Sequence, residues 1–125
     1  MKVLISNNSK TPIYQQVIDQ MKQLILRGEM KEGTALPSIR LLAKDLQISV
    51  ITSKRAYEEL EKEGLIYSVV GKGSFVAAQT DTSLREKRIK AIEEKMREVV
   101  KDGMNENLSA DDMQEMLLTV YRGMK

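Results

Sequence analysis

Residues 37–64 read PSIRLLAKDLQISVITSKRAYEELEKEG, and their spacing decides the fold. Ser38 stands where a helix N-cap belongs, and Ile39, Leu42, Ala43 and Leu46 then fall on one side of a short helix. Gln47 and Ile48 leave only a brief connection before Ser49, the next N-cap candidate. From Ser49 a further helix runs through Glu63, with Ala56, Tyr57 and Leu60 as its buried stripe and Gly64 as its stop. Two short helices joined so tightly form a helix-turn-helix.

Upstream, Thr11-Pro12 predicts a helix start, with threonine as the cap and proline at the first helical position, where its missing N–H costs nothing. Ile13, Val17, Ile18, Met21, Leu24 and Ile25 recur at helical spacing, Tyr14 lies beside them, and Gly28 closes the helix before a turn containing Gly33. Downstream, Leu65 to Val70 and Ser74 to Ala78 are rich in β-branched and aromatic residues and are separated by Gly71-Lys72-Gly73, which predicts a hairpin. The expected fold is therefore mainly α with a small β-hairpin. Residues 1–78 form a winged helix-turn-helix head.

Gln79 to Thr82 is polar and unpatterned and reads as a linker into a helical tail, residues 79–125. Leu84 opens the tail, and Ile89, Ile92, Met96 and Val99 step by three and four residues up to Gly103. A second tail helix starts with a capping box, Ser109 with Asp112, and a hydrophobic staple, Leu108 with Met113. Its apolar face is Met113, Met116, Leu117, Val120 and Tyr121. Two such stripes are too much apolar surface for so few residues to bury alone, so the tail is expected to be a dimerisation element covered by a second copy of the chain.

Composition removes many chemistries. The 125 residues include no Cys and no His, so disulfides, thiolate nucleophiles, imidazole bases and the usual zinc ligands are absent. Glu58, Glu59, Glu61 and Glu63 are spread along a helix and read as a solvated face, not as paired catalytic carboxylates. Neither an enzyme, a metal site nor a cofactor is expected. No apolar run approaches the ~20 residues needed to cross a bilayer, which makes the cytoplasm the expected compartment. Residues 1–78 carry 11 Lys/Arg against 8 Asp/Glu, whereas residues 79–125 carry 9 against 10. That asymmetry gives the head the basic character of a nucleic-acid binder.

Reading a duplex requires short polar or basic side chains on the exposed start of a helix, with phosphate clamps around it. Ser49, Val50, Ile51, Thr52, Lys54 and Arg55 all lie off the buried stripe of the third helix and are available for that purpose. Lys54 suits guanine or phosphate, Ser49 and Thr52 suit base edges or phosphate, and Val50 and Ile51 suit thymine methyls. Ser38, Arg40 and the Gly71-Lys72-Gly73 tip complete the candidate surface.

Residues 12–78 resemble the DNA-binding head of the GntR family. The resemblance is carried by Pro12-Ile13-Tyr14-Gln15-Gln16, by Gly33-Thr34-Ala35-Leu36-Pro37-Ser38-Ile39-Arg40, and by the run from Lys54 to Ile66. The 47-residue tail is similar to that of the YtrA-like subfamily, because the larger effector or aminotransferase-like domains of other relatives do not fit in it. The resemblance implies a homodimeric repressor on a pseudo-palindromic double-stranded DNA operator, relieved by a signal that can include a small-molecule effector unnamed by the sequence. It assigns DNA contacts to Arg40 on the second helix, to Ser49, Thr52 and Lys54 on the recognition helix, and to Gly71 and Lys72 on the wing. Val50 and Ile51 depart from the arginine and threonine of many relatives, which shifts the expected readout there toward apolar contact and duplex shape. The rival reading is a winged-helix protein-interaction module in which Val50 and Ile51 dock a partner protein. Arg40, Lys54, Arg55 and Lys72 argue against it.

Overall fold

Helix α1 spans Ile13–Leu26 and starts one residue later than expected. Pro12, with ψ at 148°, is itself the N-cap; its carbonyl accepts from Gln16 N at 3.1 Å, and no side chain caps the helix. The chain before Pro12 turns back along α1 instead. Gln20 pairs with both backbone groups of Leu4, accepting from Leu4 N at 2.8 Å and donating to Leu4 O at 2.6 Å. Gln16 does the same with Ser6, at 2.8 and 2.9 Å. Each carboxamide thus stands in for a neighbouring strand and satisfies an extended backbone that has none. Val3, the residue just before these anchors, is delivered into the core. The structure is a computed structural model describing residues 2–125.

Helix α2 spans Ile39–Leu46 and helix α3 Val50–Lys62. Ser38 Oγ accepts from Leu41 N and Ser49 Oγ from Thr52 N, so both expected N-caps are in place. Gln47 makes the turn between the helices in the left-handed region, φ 55°, and Ile48 N returns to Ala43 O at 3.0 Å. The core of the head gathers Val17, Ile18, Met21 and Ile25 from α1, Leu42 from α2, and Ala56, Tyr57 and Leu60 from α3. Leu65, Ile66 and Val76 close it from the hairpin side, and Met30 and Leu36 join it from the loop between α1 and α2.

Strands β1 (Ile66–Val69) and β2 (Gly73–Val76) pair antiparallel, Ile66 opposite Val76 and Val69 opposite Gly73. The hairpin is not free on its far side. Gly33 N donates to Val76 O at 2.9 Å, Val76 N to Thr34 O at 3.0 Å and Leu36 N to Ser74 O at 2.9 Å, with Ala35 bridged to Phe75. What reads as a turn around Gly33 is therefore also a third ply on the edge of β2, which protects that edge and roots the wing in the loop before α2.

Contacts divide the chain into a unit ending at Leu84 and a unit of Arg85–Lys125. Helix α4, Asp81–Asn105, begins inside the stretch expected to be a linker. Thr80 Oγ1 accepts from Ser83 N at 3.0 Å, and Gln79 Nε2 donates to Gly64 O at 2.7 Å. The polar side chains of Gln79 to Thr82 are thus a helix start and an anchor, not loose chain. Leu84, expected among the dimerisation residues, packs instead against the head core, because it lies one turn past that anchor.

In the second unit, α5 spans Ala110–Gly123 and carries the expected capping box, with Ser109 N donating to Asp112 at 2.9 Å and Asp112 N to Ser109 Oγ at 3.1 Å. The Ser109 backbone N–H, with the side-chain bond second, holds the Asp112 carboxyl below its ordinary pKa. Gly103 is a correction. It does not stop α4, which runs on to Asn105 and turns at Asn107, φ 60°. Gly103 is the buried residue of α4, and Met113 of α5 lies over it.

Candidate nucleic-acid interface

The opening turn of α3 is locked by its own hydroxyls. Ser49 Oγ accepts from Thr52 N at 3.0 Å and donates to Thr52 Oγ1 at 2.7 Å. With its acceptor role taken by Ser49, the Thr52 hydroxyl keeps its hydrogen for an outside acceptor. Beside it Val50 is half exposed and Ile51 is 81% exposed. Fully burying a side chain of this kind contributes ~1.5 to 3 kcal/mol, so the bare tip of α3 favours contact with another surface.

Two tethers hold the other candidate elements to α3. Tyr57 donates to Pro37 O at 2.7 Å, which fixes the loop that presents Ser38 and the exposed Arg40. Tyr57 is 4% exposed, and burial pushes its pKa up to about 12. Glu61 accepts from Ser68 N at 3.0 Å, which fixes β1 and the wing. The wing turn closes through Lys72 N to Val69 O at 3.0 Å, with Gly71 at φ 79° and Gly73 at φ 110°, a conformation that side chains beyond glycine rarely adopt. Lys72 and the fully exposed Val70 project from this tip. Val70 escaped the sequence reading because it belongs to the apolar run of the first strand and looks like pairing residue.

The charges sort themselves. Lys54 faces Glu58 at 3.9 Å, both exposed, a pair worth little and easily exchanged for a phosphate. Glu59 faces Lys62 at 3.8 Å and Glu63 faces Lys22 at 3.3 Å. The acidic run is therefore only in part the solvated face expected of it, since Glu61 holds the wing and Glu63 bridges to α1. Arg55 differs too: its guanidinium carbon sits 3.7 Å from the centre of the Tyr14 ring, so the side chain is folded against α1. Among the described residues no group of three or more His, Cys, Asp or Glu side chains gathers to hold a metal ion.

In the tail, Ile89, Ile92, Met96 and Val99 on α4 and Met116, Leu117, Val120 and Tyr121 on α5 are all between 41% and 58% exposed. Val100, Met104 and Leu118 are exposed as well, whereas Met113 is largely covered. A shallow open hollow of about 380 Å³ runs along α4 past Glu93, Met96, Arg97, Val100, Lys101 and Met104. Its lining comes from one helix face, so it is a strip of surface with no opposite wall. No helix among the described residues is long and apolar enough to cross a membrane.

The family model "Bacterial regulatory proteins, gntR family" matches residues 13–76, from the start of α1 to the end of the wing. The chain belongs to the GntR family. It is 34% identical over 123 residues to the HTH-type transcriptional repressor YtrA of Bacillus subtilis (strain 168), covering 98% of this chain and 95% of that protein. The match therefore includes the tail and places the chain with the short, YtrA-like regulators. The solved structure of YtrA from Sulfolobus acidocaldarius, a GntR-family transcription factor, is 34% identical with a TM-score of 0.55, covering 98% and 97% of the two chains. The DNA-binding domain of AraR, solved in complex with operator ORX1, is 30% identical with a TM-score of 0.54, covering 62% of this chain and 96% of that one. The GntR head is thus a winged helix-turn-helix, and the chain is a transcription regulator.

Proposed function

We propose that this GntR-family regulator is a cytoplasmic repressor that binds a pseudo-palindromic duplex as a homodimer, with α3 of each copy in a major groove and the wing beside it. The observation that carries the reading is the opening turn of α3, where the exposed Val50 and Ile51 stand beside the Thr52 hydroxyl and Lys54. Apolar side chains flanked by a hydroxyl and an ammonium donor suit thymine methyls and the acceptors around them. Arg40, Arg55 and Lys72 supply backbone contacts around the groove. Ser38 and Ser49 act from their caps, and Gly71 and Gly73 bring the wing backbone close.

The tail supports the dimer. Its apolar seam on α4 and α5 is open along its length, and a second copy offers the same stripes with the same spacing. A two-fold pair of heads then fits a two-fold operator.

The test is selection of bound fragments from the genome of origin, followed by titration of a recovered duplex with protein of known mass in solution. Recovery of a common inverted repeat, bound by a dimer, is the expected outcome. Val50 and Ile51 also suit the protein-docking alternative. Failure to enrich any sequence, together with affinity for DNA that is flat with salt, would favour that alternative over the operator reading.

A further inference from the structure

We propose that Tyr14 is a positioning residue for DNA binding: its ring carries the Arg55 guanidinium and presents it to a backbone phosphate at the edge of the groove read by α3. The inference rests on the duplex-binding reading above and adds α1 to the binding surface.

Three observations carry it. Arg55 is exposed and has Glu58 and Glu59 three and four residues ahead, the usual partners on a helix, yet these face Lys54 and Lys62. Among the described residues its contact is the Tyr14 ring, at 3.7 Å from the ring centre to the guanidinium carbon. At that distance the guanidinium is in contact with the face of the ring. A ring contact of this kind leaves N–H donors of the cation available, and these match a phosphate.

The second observation is direction. Tyr14 meets Arg55, and Lys22 meets Glu63. The two contacts lie eight residues apart along each helix, in the same order, so α1 and α3 run the same way and their amino ends point to the same side. The third is the position of the cation. Ile51 marks the outermost side of α3, and Arg55 follows one turn later on the same side with its side chain bent over toward α1. A guanidinium placed there meets the sugar-phosphate wall, not a base edge. A phosphate takes those N–H donors without breaking the ring contact, so the side chain reaches the duplex already ordered.

The test uses the full chain and two duplexes, one recovered by selection and one of unrelated sequence, titrated across a range of salt concentrations. Arg55→Gln is expected to weaken both by a similar factor and to lower the slope of log affinity against log salt by about 0.9 per protomer. Tyr14→Phe keeps the ring and should behave as wild type. Tyr14→Leu should reproduce part of the loss alone and add nothing in the Arg55→Gln background. Unchanged slopes in Arg55→Gln, with Lys54→Ala still weakening the selected duplex, overturn the inference and leave the operator reading standing. Loss confined to the selected duplex overturns the phosphate assignment. Additive losses from Tyr14→Leu and Arg55→Gln overturn the role of Tyr14. A wild-type protein that binds neither duplex overturns both readings.

Discussion

The hydroxyl of Tyr57 donates a 2.7 Å hydrogen bond to the carbonyl of Pro37, from the middle of α3 to the residue just before the cap of α2. This bond couples the recognition helix to the loop that presents Ser38 and Arg40. It is also the reason a tyrosine sits on the buried stripe of α3, since the ring fills the core and the hydroxyl satisfies a carbonyl that α2 does not use.

Tyr57→Phe is therefore expected to cost about 1 to 2 kcal/mol at neutral pH, because the Pro37 carbonyl loses its donor. The folded-state pKa of about 12 lies above the ordinary value of 10.0, so the protonated phenol is favoured by folding. Its contribution is whole below pH 10 and is lost as pH rises toward 12, at about 1.4 kcal/mol per unit. Tyr57→Phe lacks this loss, so the difference between the two proteins isolates it. Urea unfolding of the pair should show the wild-type advantage shrinking from pH 10 upward and gone by about pH 11.5.

Arg40→Ala and Lys54→Ala are each expected to weaken operator binding by ~1 to 3 kcal/mol at fixed salt and to leave the melting temperature within error of wild type. Arg40 is exposed and Lys54 has only its weak pair with Glu58 to lose. Near-wild-type affinity in both variants would remove α2 and α3 from the proposed reading surface.

Much of the head was legible because its elements announce themselves locally. Ser38 and Ser49 cap the helices they precede, and Ala56, Tyr57 and Leu60 repeat with the period of the helix they form. What stayed hidden was backbone satisfied by distant partners. Gln16 and Gln20 look like solvated polar residues until Leu4 and Ser6 lie against them, and Gly33 to Leu36 carries no alternation that marks it as the neighbour of β2. Glu61 and Arg55 failed for a related reason. A charge on a helix has no sequence signal for whether solvent, the Ser68 amide or the Tyr14 ring receives it.

Gly103 teaches the same lesson in the tail, where glycine reads as a stop and serves as a notch. A Cβ there would overlap Met113 Sδ and lie 2.9 Å from Met113 Cε. Gly103→Ala is expected to be nearly neutral, since the end of a flexible methionine can swing aside and alanine gains up to ~1 kcal/mol in helix propensity. Gly103→Leu exceeds that room and should cost ~1 to 3 kcal/mol by overpacking. Adding Met113→Ala to Gly103→Leu vacates the space, so the double variant should recover much of the loss. Thermal melts of the three variants check this, and strict additivity would contradict the packing.

The seam on α4 supplies the last prediction. Ile92 and Met96 are 57% and 46% exposed in a single chain, so replacing both with glutamate costs a monomer almost nothing. In a dimer closed along this seam the same change buries unpaired charges from both copies, which is strongly unfavourable. The double variant is therefore expected to be monomeric by light scattering while its head still melts cooperatively. Operator affinity should fall with it, because the dimer makes the second half-site contact intramolecular and that linkage contributes ~10² to 10⁴ in apparent affinity without any new contact to DNA. The two measurements belong on one sample. A variant that remains dimeric would move the interface off the seam, and a monomer that binds the full operator as tightly as wild type would show that the tail does not couple the two heads.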